Sequence, residues 1–137
     1  MRPYQFWTYI LTNKSKTVLY TGITNNLAAR LIEHWIGKEG CFTTRYQVYY
    51  LIWCEETKYV NNAIEREKTL KRWHRKDKEA LIKAQNPEWN FRNEDVLGHW
   101  PPTDEQAEAV KSRWNRLGEA ALLEDGMSFL RQISRNG

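Results

Sequence analysis

Several side chains break the pattern of the segments that carry them, and each is of a type that does chemistry. The first is Glu67. With Val60 at 0° and about 100° per residue, Ala63, Ile64 and Leu70 share one apolar stripe, and Glu67 falls at about 340°, within it. Glu65, at about 140°, points away and reads as an ordinary solvated glutamate. A carboxylate on a core-facing stripe is costly unless something pairs with it. It is either one half of a salt bridge to a nearby Arg or Lys, or a metal ligand or general base at the bottom of a cleft. The second anomaly is Arg30 with His34, at the edge of the apolar arc made by Leu27, Ala28, Leu31, Ile32 and Trp35. Four residues apart on a helix, the two can converge on one object. Read blandly they are a solvated flank, with one of them meeting Glu33. Read chemically they suit an oxyanion such as phosphate, for which Arg supplies a bidentate fork and His a titratable proton. The third group is Tyr9 and Tyr20, in neighbouring strands and just ahead of Gly22. Strand tyrosines are commonly packing residues. Last, Lys68, Lys71, Arg72, Arg75, Lys76 and Lys78 crowd one short stretch. They form either a solvated helix face or a patch that follows a phosphate backbone.

The elements that must position these residues can be read from hydrophobic period and turn signals. Residues 6–11 are rich in aromatic and β-branched types, as a strand is, and 17–21 form a second strand across a polar turn at 13–16. Gly22 is expected to break the pattern there, where backbone turns or approaches a ligand closely. Asn25 or Asn26 caps a helix over 27–36, and Gly37 and Gly40 punctuate its end. Residues 46–54 read as a mostly apolar third strand, and Asn61 or Asn62 opens a helix to about residue 74. A short helix over 76–84 stops before Asn86 and Pro87, because proline disfavours helix at the residue before it. Asn90-Phe91-Arg92-Asn93, followed by Gly98-His99-Trp100-Pro101-Pro102, is the best linker candidate. Thr103 and Gln106 then form a capping box for a helix whose stripe is Ala107, Val110, Trp114 and Leu117. Residues 119–124 and 127–135 read as further short helices, with Phe129, Leu130 and Ile133 as apolar surface to bury. The order is β-β-α-β-α-α followed by helices: an α+β protein with a small three-stranded mixed or antiparallel sheet.

Composition narrows the class. The chain has 137 residues, 41% of them hydrophobic and 28% charged, which suits one globular domain with an appendage and argues against disorder. No apolar run approaches the ~20 residues a membrane helix needs, and no secretory signal is expected at the N-terminus. Two cysteines, Cys41 and Cys54, are too few for a disulfide framework, and a reducing cytoplasm is the expected location. Residues 1–92 carry 16 Lys/Arg against 9 Asp/Glu, whereas 93–137 carry 5 against 8. A basic body with an acidic tail implies a polyanionic partner for the body.

Together these residues resemble the GIY-YIG nuclease superfamily, in particular its small stand-alone bacterial members. Trp7-Thr8-Tyr9 stands where the first family triplet belongs and Tyr20-Thr21-Gly22 where the second belongs. Arg30 follows Tyr20 by ten residues, His34 lies one helical turn further, and Glu67 matches the Glu of a later helix. Asn86, in Asn86-Pro87-Glu88-Trp89, is the nearest candidate for the family Asn. Trp7 and Thr8 replace Gly and Ile of the first triplet, and Thr21 replaces Ile of the second. The resemblance covers about residues 4–92, so 1–92 is expected to be the nuclease-like domain and 93–137 a helical extension packed on it.

The resemblance implies a metal-dependent endonuclease that hydrolyses phosphodiester bonds in DNA, with Mg²⁺ or Mn²⁺ held by Glu67. It implies that Arg30 holds a non-bridging phosphate oxygen and that Tyr9, Tyr20 and His34 position or deprotonate the attacking water. A compact body without an obvious duplex-reading helix points to single-stranded or structurally distorted DNA, in repair, recombination or DNA processing. The alternative is a nucleic-acid-binding module of the same fold that does not cleave.

Overall fold

The computed structural model describes residues 5–37 and 42–117, the side chains of 114–117 excepted. The helices expected at 119–124 and 127–135, Gly40, Cys41 and the side chains of Trp114 and Leu117 lie outside the described residues.

Three strands form the sheet: β1 (Phe6–Thr12), β2 (Leu19–Thr24) and β3 (Tyr50–Thr57). Their order is β2-β1-β3 and both pairings are antiparallel, so the expected α+β class holds with a purely antiparallel sheet. β1 is central and almost wholly buried, as its aromatic and β-branched residues require. Alternation along β1 sends Tyr9 and Leu11 to one face, where they pack on Leu27 and Leu31 of α1 (Leu27–Ile36). It sends Phe6, Thr8 and Ile10 to the other face. There they meet α3 (Val60–Arg72): Phe6 packs with Ala63 and Ile64, Ile10 with Leu70, and Thr8 donates to the Ala63 carbonyl. α4 (Arg75–Gln85) adds Ile82 to this second layer.

The ends of elements depart from the sequence reading for identifiable reasons. β2 begins at Leu19 rather than 17. The Asn13 side chain accepts from the Thr17 and Val18 amides, and Arg75 donates to the Lys16 and Thr17 carbonyls, so these groups are taken from strand pairing. Gly22 does not break the strand. It lies within β2 opposite Tyr9, and a Cβ there would stand 2.5 Å from Tyr9 Oη. β3 begins at Tyr50, not 46, because Phe42–Arg45 form the short helix α2 and Val48 donates to the Thr43 carbonyl. It continues through Glu55 and Glu56 because it is an edge strand, where charge is tolerated. α1 follows its expected bounds, capped by Asn26, whose side chain accepts from the Ala29 amide. α3 starts at Val60, ahead of Asn61 and Asn62, with no side-chain cap at Tyr59.

The stretch read as a linker is anchored. Asn93, the first residue of α5 (Asn93–Leu97), is buried and holds both backbone groups of the strand edge: it accepts from Leu51 N at 2.7 Å and donates to Tyr49 O at 2.7 Å. α6 (Asp104–Leu117) opens with the expected capping box, Thr103 and Gln106 bonding reciprocally. Its Val110 is buried against Ile32 of α1.

Candidate active site

The α1 face of the sheet gathers four of the residues singled out from the sequence. Tyr9 and His34 are fully buried, with Tyr9 Oη 3.0 Å from His34 Nε2. Arg30, one turn before His34, donates from Nε to Tyr9 Oη at 3.1 Å. Tyr20 is half-buried; its ring lies 6.4 Å from that of Tyr9 and 5.4 Å from that of His34. Gly22 is what allows this packing, because the Tyr9 ring occupies the space a side chain there would fill.

Two further residues complete the group. Thr43 of α2 lies 3.1 Å from His34 Nδ1, so both ring nitrogens of the histidine have oxygen neighbours. Glu33 is buried, with Oε2 2.8 Å from Arg30 Nη1 and Oε1 3.3 Å from Arg113 Nη2 of α6. Thr43 carried no signal in the sequence, because α2 is too short to show a period. Glu33 did appear as a partner for Arg30 or His34, but nothing local pointed to an arginine 80 residues away.

Burial and charge set the protonation of these groups. Burial pushes the Tyr9 hydroxyl above its ordinary value of 10.0, although the adjacent Arg30 pulls the other way. Burial, and then the positive charge of Arg30, hold His34 well below 6.5. Burial acts to lower Arg30, but Tyr9 and Glu33 outweigh it, and the guanidinium stays charged. Burial raises Glu33 above 4.5 against the pull of Arg30 and Arg113. His34 is therefore a neutral imidazole at pH 7. With Arg30 donating to Tyr9 Oη, the hydroxyl proton is directed to Nε2, and Nδ1–H faces Thr43.

Glu67 is placed differently. It is fully buried on α3, the helix that covers the opposite face, and among the described residues it has no hydrogen bond to the four residues above. Lys71, one turn on, brings Nζ to 3.0 Å of Oε2 as an ion pair, but neither carboxylate oxygen receives an aligned hydrogen bond. Between the two faces runs β2, the edge strand: Tyr20 and Gly22 face α1, while Thr21, opposite Ile10, faces α3 and has a buried hydroxyl without a hydrogen-bond partner.

Asn86 is not brought to this edge. It ends α4 and is consumed by backbone contacts, donating to Ile52 O at 3.0 Å and Asn90 O at 2.8 Å and accepting from Asn90 N. Those contacts tie it to β3, on the far side of the sheet from β2. The basic cluster is also partly committed. Arg75 is docked on the β1–β2 loop and on Glu79, Lys71 is paired with Glu67, and Lys68 lies 3.8 Å from Glu65. Burial, followed by Lys71 and Arg75, lowers Lys78. Arg72 and Lys76 are exposed at the α3–α4 corner.

Comparison with known proteins agrees with this architecture. The GIY-YIG catalytic domain matches residues 5–80. A protein titled UPF0213 protein, from Syntrophus aciditrophicus (strain SB), is 40% identical over 83 residues, which are 60% of this chain and 93% of that protein. No solved structure matches. The chain belongs to the GIY-YIG family, and its fold is of the nuclease type. No helix among the described residues is long and apolar enough to cross a membrane.

Proposed function

We propose that this protein is a divalent-metal-dependent endonuclease that hydrolyses phosphodiester bonds in DNA. The observation that supports it most is Glu67. A fully buried carboxylate whose one charge partner is the half-exposed Lys71, at 3.0 Å and without an aligned hydrogen bond, is expensive to maintain, and binding alone needs no core-facing Glu. Among the described residues no group of three or more His, Cys, Asp and Glu could hold a metal. A lone carboxylate therefore suits Mg²⁺ or Mn²⁺, hard cations that keep several waters and need few protein ligands. When bound, such a cation supplies charge neutralisation at the phosphate and at the departing oxygen.

The remaining roles fall to the chain's own groups. Arg30, charged and pinned from two sides by Tyr9 and Glu33, holds a non-bridging phosphate oxygen and stabilises charge that builds there. Burial keeps both His34 and Tyr9 in their neutral forms at neutral pH, so the two act by positioning. Tyr9 Oη, facing His34 Nε2 and accepting from Arg30 Nε, positions the guanidinium. Tyr20, the less buried tyrosine, is the one that meets the attacking water. The exposed Arg72 and Lys76, with Lys68 and Lys78, follow the strand's phosphates. Single-stranded or structurally distorted DNA, in repair, recombination or processing, is the substrate class. The cytoplasm is the location.

The test is incubation of the purified protein with end-labelled single-stranded, duplex and branched DNA in Mg²⁺, Mn²⁺ or EDTA. Cleavage in metal and none in EDTA is expected. Binding without cleavage in any metal would identify the non-cleaving module instead.

A further inference from the structure

We propose that Arg113 of α6, beyond the matched domain, is a positioning residue that keeps Arg30 effective toward a phosphodiester. The inference rests on the reading of Arg30 as the residue that holds the phosphate oxygen. Arg30 Nη1 stands 2.8 Å from Glu33 Oε2, and both side chains are buried. Taken alone, that pair sums to zero charge and offers an incoming anion little net attraction. Arg113 reaches the other oxygen of the same carboxylate, with Nη2 3.3 Å from Oε1. Each guanidinium thus has its own oxygen, and the three groups sum to one positive charge.

The position of Arg113 is fixed by packing. Val110, just under one turn earlier on α6, is buried against Ile32 of α1, with Ile36 and Leu97 beside them. An element outside the nuclease domain therefore offsets the carboxylate that otherwise cancels Arg30. On this account the extension acts on the active site through Glu33, which carries the effect between the two arginines.

Charge restoration separates this role from bracing. Arg113→Gln takes the set to zero charge. The double variant Arg113→Gln/Glu33→Gln returns it to one positive charge without restoring the bridge between α1 and α6. KM and kcat are measured at low salt on a labelled DNA strand, with a thermal melt of each variant. Arg113→Gln is expected to raise KM about tenfold, the size of effect one charge has across a few ångströms of partly buried protein. Arg113→Lys should stay near wild type, and the double variant should recover to within about threefold. A double variant as impaired as Arg113→Gln overturns the proposal and makes α6 a brace. Wild-type protein that cleaves while Arg113→Gln matches it in KM and kcat overturns this inference alone. Wild-type protein that cleaves no DNA in any metal overturns the functional reading and this inference with it.

Discussion

His34 and Glu67 are both fully buried polar groups, and they are buried at different costs. His34 has an oxygen at each ring nitrogen, so its neutral form is satisfied and its charged form is not. Its folded-state pKa lies below the unfolded value of 6.5, so the unfolded chain binds the extra proton first as pH falls. Stability is then full above about pH 7 and declines as pH drops below 6.5, by at most about 1.4 kcal/mol per pH unit for this one group. Glu33, raised above 4.5, works in the opposite sense, since the folded state takes up its proton more readily. Melting temperatures between pH 7.5 and 5.5 should therefore fall in the wild type and fall less in His34→Gln. Parallel curves for the two proteins would show that His34 is not held neutral.

At the scale of elements, the site depends on β2 passing close to β1. Gly22→Ala puts a methyl 2.5 Å from Tyr9 Oη and 3.1 Å from the Tyr20 ring. Tyr9 cannot yield cheaply, because its hydroxyl is fastened by Arg30 and His34. Overpacking of this kind costs about 1–3 kcal/mol, and cleavage should fall further than stability because the displaced group is the one aligned for chemistry. A Gly22→Ala protein with normal turnover would mean that Tyr9 placement is unimportant. The sequence made Gly22 visible as a turn or a place of close approach but ended the strand before it, since a glycine in a strand and a glycine ending one look alike until the cross-strand partner is known. Tyr9, Tyr20, Arg30 and His34 were legible because strand alternation and helical period bring them to one face. The burial of Glu67 followed from the same helical arithmetic. Its partner Lys71 was read only as part of a basic run, and the choice between ion pair and metal ligand depends on hydrogen-bond alignment, which spacing does not encode. The backbone contacts of Asn86 were not legible for a related reason. A residue closing a helix and one facing a substrate have the same local sequence, and only the Ile52 and Asn90 carbonyls decide between them.

Over the whole molecule, charge is divided unevenly along the chain. Residues 1–92 are basic and 93–137 acidic, yet the basic run itself divides into committed and exposed members. Each Lys or Arg that contacts a phosphate of a single strand contributes about 0.7 to the slope of log affinity against log salt. Lys76→Ala and Arg72→Ala should each flatten that slope by about this amount, whereas Arg75→Ala should change stability more than slope, because its guanidinium holds the β1–β2 loop. Equal slopes for wild type and Lys76→Ala would remove the α3–α4 corner from the DNA path. The helical extension was foreseen from the capping box at Thr103. Its packing on the body was expected too, but not the anchor at Asn93, which reaches back to Leu51 and Tyr49, 42 and 44 positions away, and such contacts leave no periodic trace.

The central claim is that Glu67 is buried for the sake of a metal and the reaction, not for the fold. The most direct measurement is the rate of cleavage of an end-labelled DNA strand in Mn²⁺ by wild type and Glu67→Gln, with a thermal melt of both. Glutamine keeps the volume and removes the buried charge, while the half-exposed Lys71 can turn to water. The account predicts a loss of at least about a thousandfold in rate, comparable to removal of a principal electrostatic stabiliser, with a melting temperature equal to or above that of wild type. A Glu67→Gln protein that cleaves at the wild-type rate, or one that melts many degrees lower, would contradict it and leave the Glu67–Lys71 pair as a structural salt bridge.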